Sequence, residues 1–182
     1  VTSEQRAGAK MVNFGIIYGV TPYGLARRLG PDVSVEEGKS IIDGYKARFS
    51  RIEAFLNECI EMAETHGYVE TILKRRRPIP QITSSNRQRR ALGERMAINT
   101  VVQGSAADLI KLAMIRLHGR LPDAFPEARM ILQIHDELVF EVPEGEAESV
   151  RDLVVSEMES AMELSVPLVV ESAWSSSWID AK

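Results

Sequence analysis

The chain has 182 residues and a single cysteine, Cys59. One cysteine excludes an internal disulfide and fits a reducing compartment. No apolar run is long enough to span a bilayer, and no signal peptide precedes the first helix pattern. An excess of positive charge is also missing: 22 Lys and Arg against 26 Asp and Glu give a formal net charge of −4. That total argues weakly against nucleic acid as a partner. An initiator methionine is absent too, since the chain opens Val1-Thr2-Ser3 and Thr2 with Gln5 reads as a capping box. A chain that begins where a helix begins is expected to be a fragment of something longer.

What is present is unevenly distributed. From Lys74 to Arg95, eight cationic side chains stand against Glu94 alone; from Asp136 to Glu171, eleven acids stand against Arg151 alone. Such asymmetry fits one side facing phosphates and another facing solvent, although two unrelated solvated faces would give the same count.

The stretch Ser3–Gly19, SEQRAGAKMVNFGIIYG, is the most informative. On a helix, Arg6, Lys10, Phe14 and Tyr18 recur every four residues and form one stripe: two cations, then two aromatics. Cations suit phosphate, the guanidinium as a planar fork and the ammonium as a point charge. Aromatic faces accept sugars and bases. An amphipathic helix with a solvated basic end is the plainer alternative. Gly15 and Asn13 weigh against it, because a helix interior disfavours glycine by about 1 kcal/mol relative to alanine, and a plain core helix prefers an aliphatic residue beside Phe14.

Farther along, Thr21–Gly24 reads as a turn and Leu25–Leu29 as a short helix. Ser34 with Glu37 caps a helix carrying Ile41, Ile42, Tyr45 and Phe49, and another runs from 52 to 65. Residues 68–73 and 77–82 read as a β-hairpin with a basic turn, whose cations suit phosphates. Residues 87–99 read as helical, placing Arg95, Asn99 and Gln103 four apart. Arg, Asn and Gln can reach hydrogen-bonding atoms on base edges, though an exposed polar face would look the same. Ser105 and Asp108 read as a capping box for a helix over 106–119, and Leu121–Glu127 as a connection. Two β-rich runs, 130–134 and 138–142, flank His135-Asp136-Glu137, a tight polar tip able to present hard oxygen ligands to Mg²⁺. An ordinary Asp-containing turn is the alternative. Residues 146–164 read as an acidic helix and 166–171 as a final strand. Trp174 and Trp178 read as packing or edge residues.

The patterns R-x-x-x-K-x-x-N-F-G-x-x-Y-G from Arg6, Q-G-S-A-A-D from Gln103 and H-D-E-L-V-F-E-V from His135 resemble family A DNA polymerases, the bacterial DNA polymerase I group. The resemblance covers essentially the whole chain. It differs at Lys74, in a turn where the family usually carries glycine, and at Val101, where the family often carries proline.

The resemblance implies an α+β fold, mostly helical. A fingers-like subdomain would cover 1–90, with a nucleotide-binding helix over 3–18 and a basic hairpin over 68–82. A partial palm with a small antiparallel sheet would cover 91–182. It implies DNA-directed DNA polymerase activity in replication and repair, by two-metal phosphoryl transfer with two Mg²⁺ ions. Primer–template DNA, dNTP and the upstream part of the same polymerase are the implied partners, with no membrane and a cytoplasmic location. Asp136 would be a metal ligand, Glu137 a neighbouring carboxylate of lesser weight, and His135 a residue near the primer end. Arg6 and Lys10 would hold the triphosphate, with Lys10 also a proton donor to pyrophosphate. Phe14 would pack near the sugar and disfavour dideoxynucleotides, and Tyr18 would sit by the template base. Arg95, Asn99 and Gln103 would line the primer–template minor groove.

The family's other metal-binding aspartate lies in a D-Y-S-x-x-E-x-R motif upstream of the nucleotide helix, and this chain begins after it. The isolated chain is therefore expected to have little or no polymerase activity and limited stability or self-association. A non-catalytic nucleic-acid-binding module and a purely structural fragment are the competing readings.

Overall fold

A computed structural model describes residues 1–181. The chain divides into two compact units, Val1–Ser105 and Ala106–Lys182.

The first unit begins with α1 (Ser3–Ile17), started by the Thr2/Gln5 capping box. Pro22 is not part of a free turn: it opens α2 (Pro22–Leu29), whose N-cap Thr21 accepts from Gly24 N–H. This suits proline, because the first helical position has no intrahelical use for an N–H. Ser34 and Glu37 form the capping box of α3 (Val35–Arg48). Backbone and hydroxyl hydrogen bonds from Ser34 hold the Glu37 carboxyl below its ordinary value. Helix α4 (Ser50–His66) ends on Gly67, in the left-handed region at φ 75°. Ile16, Leu25 and Ile42 form the core shared by α1, α2 and α3.

Strands β1 (Tyr68–Glu70) and β2 (Arg76–Pro78) pair antiparallel, with Tyr68 opposite Pro78 and Glu70 opposite Arg76. The pairing is shorter than the apolar alternation implies, because Thr71 turns inward and is buried, accepting from Arg75 N–H at its hydroxyl. Lys74 lies in the turn at φ 63°, the conformation that glycine tolerates best. Val69, Ile79, Ile82, Ala63 and Ala97 pack as a core beneath the hairpin.

The two helices expected over 87–99 and 106–119 are one, α5 (Arg87–Ala124). Ser105 and Asp108 therefore do not cap a helix. The Ser105 hydroxyl accepts from Ile72 N–H, and Asp108 is buried. The connection expected over 121–127 begins as helix, with Pro122 inside α5.

In the second unit, β3 (Arg129–Ile134) and β4 (Glu137–Glu141) pair antiparallel, with a bulge between Met130 and Leu132. A 3₁₀ turn, Glu144–Glu146, leads into α6 (Ala147–Glu159), shorter than the expected 146–164. Leu117, Leu121, Val150 and Val154 form the core here, with Leu138 and Phe140 packed against them. Glu157, buried on α6, accepts a charged hydrogen bond from Arg120.

Residues 166–171 do not form a strand. A strand needs a partner ladder, and among the described residues none pairs with this run. Instead, Val170 N–H donates to Glu159 Oε1, while Val166 and Val169 stay exposed. Trp174 and Trp178 are also exposed rather than packed.

Candidate nucleotide and nucleic-acid site

On α1 the aromatic half of the stripe is a continuous surface. The Phe14 and Tyr18 rings lie 6.3 Å apart and nearly parallel, at 9°. The Lys10 ammonium stands 5.9 Å from the Phe14 ring centroid, within cation–π range. Arg6, Lys10 and Phe14 are exposed. An exposed aromatic with an ammonium and a second, half-buried ring beside it suits a ligand with an anionic end and a flat end.

The two residues that weigh against a plain amphipathic helix have packing explanations. Asn13 Oδ1 accepts from the Tyr45 hydroxyl at 2.5 Å, which ties α1 to α3. Gly15 is buried, and a Cβ there would lie 3.3 Å from Val20 Cγ1. Neither residue needs a ligand to account for it.

Gly19 follows the stripe at φ 73°, and a Cβ built on it would lie 3.1 Å from Arg95 Cγ. Arg95, the first member of the α5 stripe, is thus adjacent to the end of the α1 stripe. One turn on, the Asn99 side-chain oxygen is buried and without a hydrogen-bond partner among the described residues. Gln103, another turn along, is exposed. Arg95 of the α5 stripe therefore approaches Gly19, the residue that follows the α1 stripe, within one unit.

The four cations of the basic turn are not equivalent. Arg76 Nε donates to Glu70 Oε1 at 2.9 Å, and its guanidinium lies 4.7 Å from the Tyr68 ring centroid. Lys74 Nζ is 3.5 Å from the other Glu70 oxygen. Arg77 donates to the Thr100 hydroxyl at 2.9 Å. Glu70 thus neutralises part of the turn. This could be anticipated from its place opposite Arg76 in the hairpin register.

In the second unit, Ile134 pairs with Glu137, so His135 and Asp136 are the two loop residues of the β3–β4 hairpin. His135 has φ 54°, and a primed two-residue turn needs positive φ at its first loop position. Gln133 Nε2 donates to the His135 carbonyl at 3.1 Å and closes the turn. His135, Asp136 and Glu137 are all exposed. The two carboxylates are hard donors suited to a divalent ion. Among the described residues, however, no three His, Cys, Asp or Glu side chains are grouped to hold a metal. The acidic set fits such an ion only in part, since Mg²⁺ takes six oxygen ligands.

The family model for DNA polymerase family A matches residues 1–180. DNA polymerase I of Bacillus subtilis (strain 168) is 46% identical over 182 residues, covering 100% of this chain and 20% of that protein. DNA polymerase I of Mycobacterium bovis is 44% identical over 178 residues, covering 98% of this chain and 20% of its own length. A solved structure described as the POL domain of Pol1 from M. smegmatis, in complex with DNA primer-template and dNTP, aligns with a TM-score of 0.87 and 44% identity. That alignment covers 92% of this chain and 29% of the other. The chain thus spans 20% of the length of these curated relatives. Its mostly helical α+β fold, with two small antiparallel sheets, is that of part of a polymerase domain, and the chain belongs to DNA polymerase family A.

Proposed function

We propose that this chain is part of a DNA-directed DNA polymerase that adds deoxynucleotides to a primer 3′ end. The observation that carries this reading is the Lys10–Phe14–Tyr18 surface, exposed at Lys10 and Phe14, in a chain whose family match runs from residue 1 to 180. Arg6 and Lys10 hold the triphosphate, and Lys10 can also pass a proton to the departing pyrophosphate. Phe14 packs against the sugar and Tyr18 lies by the template base. Arg95, Asn99 and Gln103 face the minor groove, where acceptors occupy similar places in every correct base pair. His135 lies near the primer end. The subdomains are fingers-like over 1–90 and partial palm over 91–182. The location is cytoplasmic, in line with a chain in which, among the described residues, no helix is long and apolar enough to cross a membrane.

Asp136 and Glu137 are the residues that would hold a divalent ion, with Asp136 the principal ligand and Mg²⁺ the natural candidate for oxygen donors. When bound, such ions would supply activation of the primer hydroxyl and neutralisation of charge on the leaving group, in the two-ion manner of nucleotidyl transfer. Because the acidic set is incomplete, this chain alone does not extend a primer.

Primer extension with Mg²⁺ tests both statements. A complete polymerase carrying this chain should extend primed DNA, and Asp136→Asn should reduce the rate by roughly 1000-fold, the scale of several kcal/mol of charge stabilisation. The 182-residue chain alone should give no extension. Full activity of the Asp136→Asn protein, or templated extension by the chain alone, refutes the corresponding statement. A non-catalytic nucleic-acid module would instead bind DNA with strong salt dependence and bind no nucleotide.

A further inference from the structure

The β1–β2 hairpin is fastened to α5 at three consecutive places. Arg77 donates to the Thr100 hydroxyl at 2.9 Å, and Ile72 N–H donates to the Ser105 hydroxyl at 2.9 Å. Between them, Thr71 lies so close to Gly104 that a Cβ on Gly104 would stand 2.7 Å from Thr71 Cγ2. Both hydroxyls also donate back into the helix, Thr100 to the Met96 carbonyl and Ser105 to the Val101 carbonyl. Each hydroxyl is therefore fixed in direction, with its proton used inside α5 and one lone pair used by the hairpin.

These fastening points lie on a face of α5 next to the Arg95–Asn99–Gln103 stripe. Thr100 and Gly104 follow Asn99 and Gln103 by one residue each, so their directions differ by about 100° around the helix axis. A rotation of that size would exchange the two faces. A β-branched threonine seated against a bare Cα resists such rotation, because neither partner has a soft torsion to yield. Gly104 has no turn or positive φ to explain it. The close approach of Thr71 does.

We infer that the hairpin is a rotational lock on α5, with Thr71 and Gly104 as positioning residues that aim Arg95, Asn99 and Gln103 at the base pair. The inference rests on the polymerase reading above and adds to it a reason for the glycine in Q-G-S. The lock determines how sharply a correct primer–template pair is told from a wrong one, since a misplacement of about 1 Å can lower a rate by roughly 100-fold.

The test uses the complete polymerase carrying this chain and reads kcat/KM for extending a matched and a mismatched primer terminus, together with thermal unfolding. Gly104→Ala should lower the matched-to-mismatched ratio by about 10-fold or more. Thr71→Ser removes the methyl that seats on Gly104 and keeps the hydroxyl; alone it loosens the seat and should lower the ratio by less than Gly104→Ala does, and combined with Gly104→Ala, whose clash it relieves, it should restore most of that variant's loss. Thr100→Val, which keeps volume and removes the Arg77 acceptor, should shift the ratio in the same direction if Gly104→Ala fails to fold. An unchanged ratio in a folded Gly104→Ala protein that merely melts earlier overturns the inference, as does failure of Thr71→Ser to restore it. If Gln103→Ala also leaves the ratio unchanged, the minor-groove role fails and the inference with it. Rescue of the melting temperature alone by Thr71→Ser would then show that the contact is structural only.

Discussion

Arg95 rests on the backbone of Gly19, with its Cγ 3.1 Å and its Cδ 3.5 Å from where a Gly19 Cβ would be. Gly19 is held at φ 73°, which an L-residue adopts at a cost of about 1–2 kcal/mol. Gly19→Ala therefore combines backbone strain with displacement of Arg95. The complete polymerase should unfold a few degrees lower and bind primer–template DNA more weakly, as thermal unfolding and a DNA titration would read. An unchanged affinity would mean that the position of Arg95 is not set by this contact.

Lys10 is exposed and its ammonium has the Phe14 ring beside it. Hydrogen bonds to charged groups are worth about 1.5–3 kcal/mol. Lys10→Ala should thus raise KM for dNTP by roughly 10-fold or more, while primer–template affinity changes little. Steady-state kinetics in dNTP and in DNA separate the two. Equal losses on both axes would place Lys10 in the DNA interface rather than at the triphosphate.

The sequence was most legible where a single helix carried the pattern. The α1 stripe and the Thr2 and Ser34 capping boxes depend on spacing within a few residues, and those spacings survive folding. It was least legible where a tertiary neighbour decided the outcome. Ser105 and Asp108 have the residue types of a capping box, but Ser105 is claimed by Ile72 and the helix continues through both. Val166–Glu171 has β-prone residues yet no ladder to join, and propensity alone does not make a strand. The Glu70–Arg76 pair, which neutralises part of the basic turn, is a cross-strand relation and emerges only once the register is known. Gly15 and Asn13 stood out as unusual helix residues, but their causes, Val20 and Tyr45, lie on other segments.

Cys59 packs with Leu56 and Ile98 and is 4% exposed. Burial, with a smaller contribution from the Glu58 charge, pushes its thiol up to about 11. The thiol should resist a water-soluble disulfide reagent in the native protein at pH 7 and react promptly in denaturant. A raised value means the folded state holds the proton more tightly. The associated stability is whole below the ordinary thiol value and is lost as pH rises through about 11. Cys59→Ala should flatten that alkaline decline, measured as unfolding temperature against pH. Rapid thiol reaction in the folded state would show that this core opens readily.

Glu70 gives the opposite sign. The hydrogen bond from Arg76 Nε holds its carboxyl below the ordinary value, and the charges of Lys74 and Arg76 add to this. The folded state therefore releases this proton more readily than the unfolded chain. Its contribution to stability is complete above the ordinary carboxylate value, about 4.3, and is lost as pH falls through the lower folded value. Glu70→Gln should make the protein less stable near neutral pH, with the two unfolding curves converging in acid. Because the partners are exposed at the turn, the difference should also shrink with added salt. The same substitution releases Arg76 from its only acidic partner among the ion pairs of the described residues. It should steepen the salt dependence of DNA binding by about one phosphate contact if Arg76 then reaches the backbone. A titration of primer–template DNA at several salt concentrations measures that slope. An unchanged slope together with convergent acid curves would confine the pair to holding the hairpin closed.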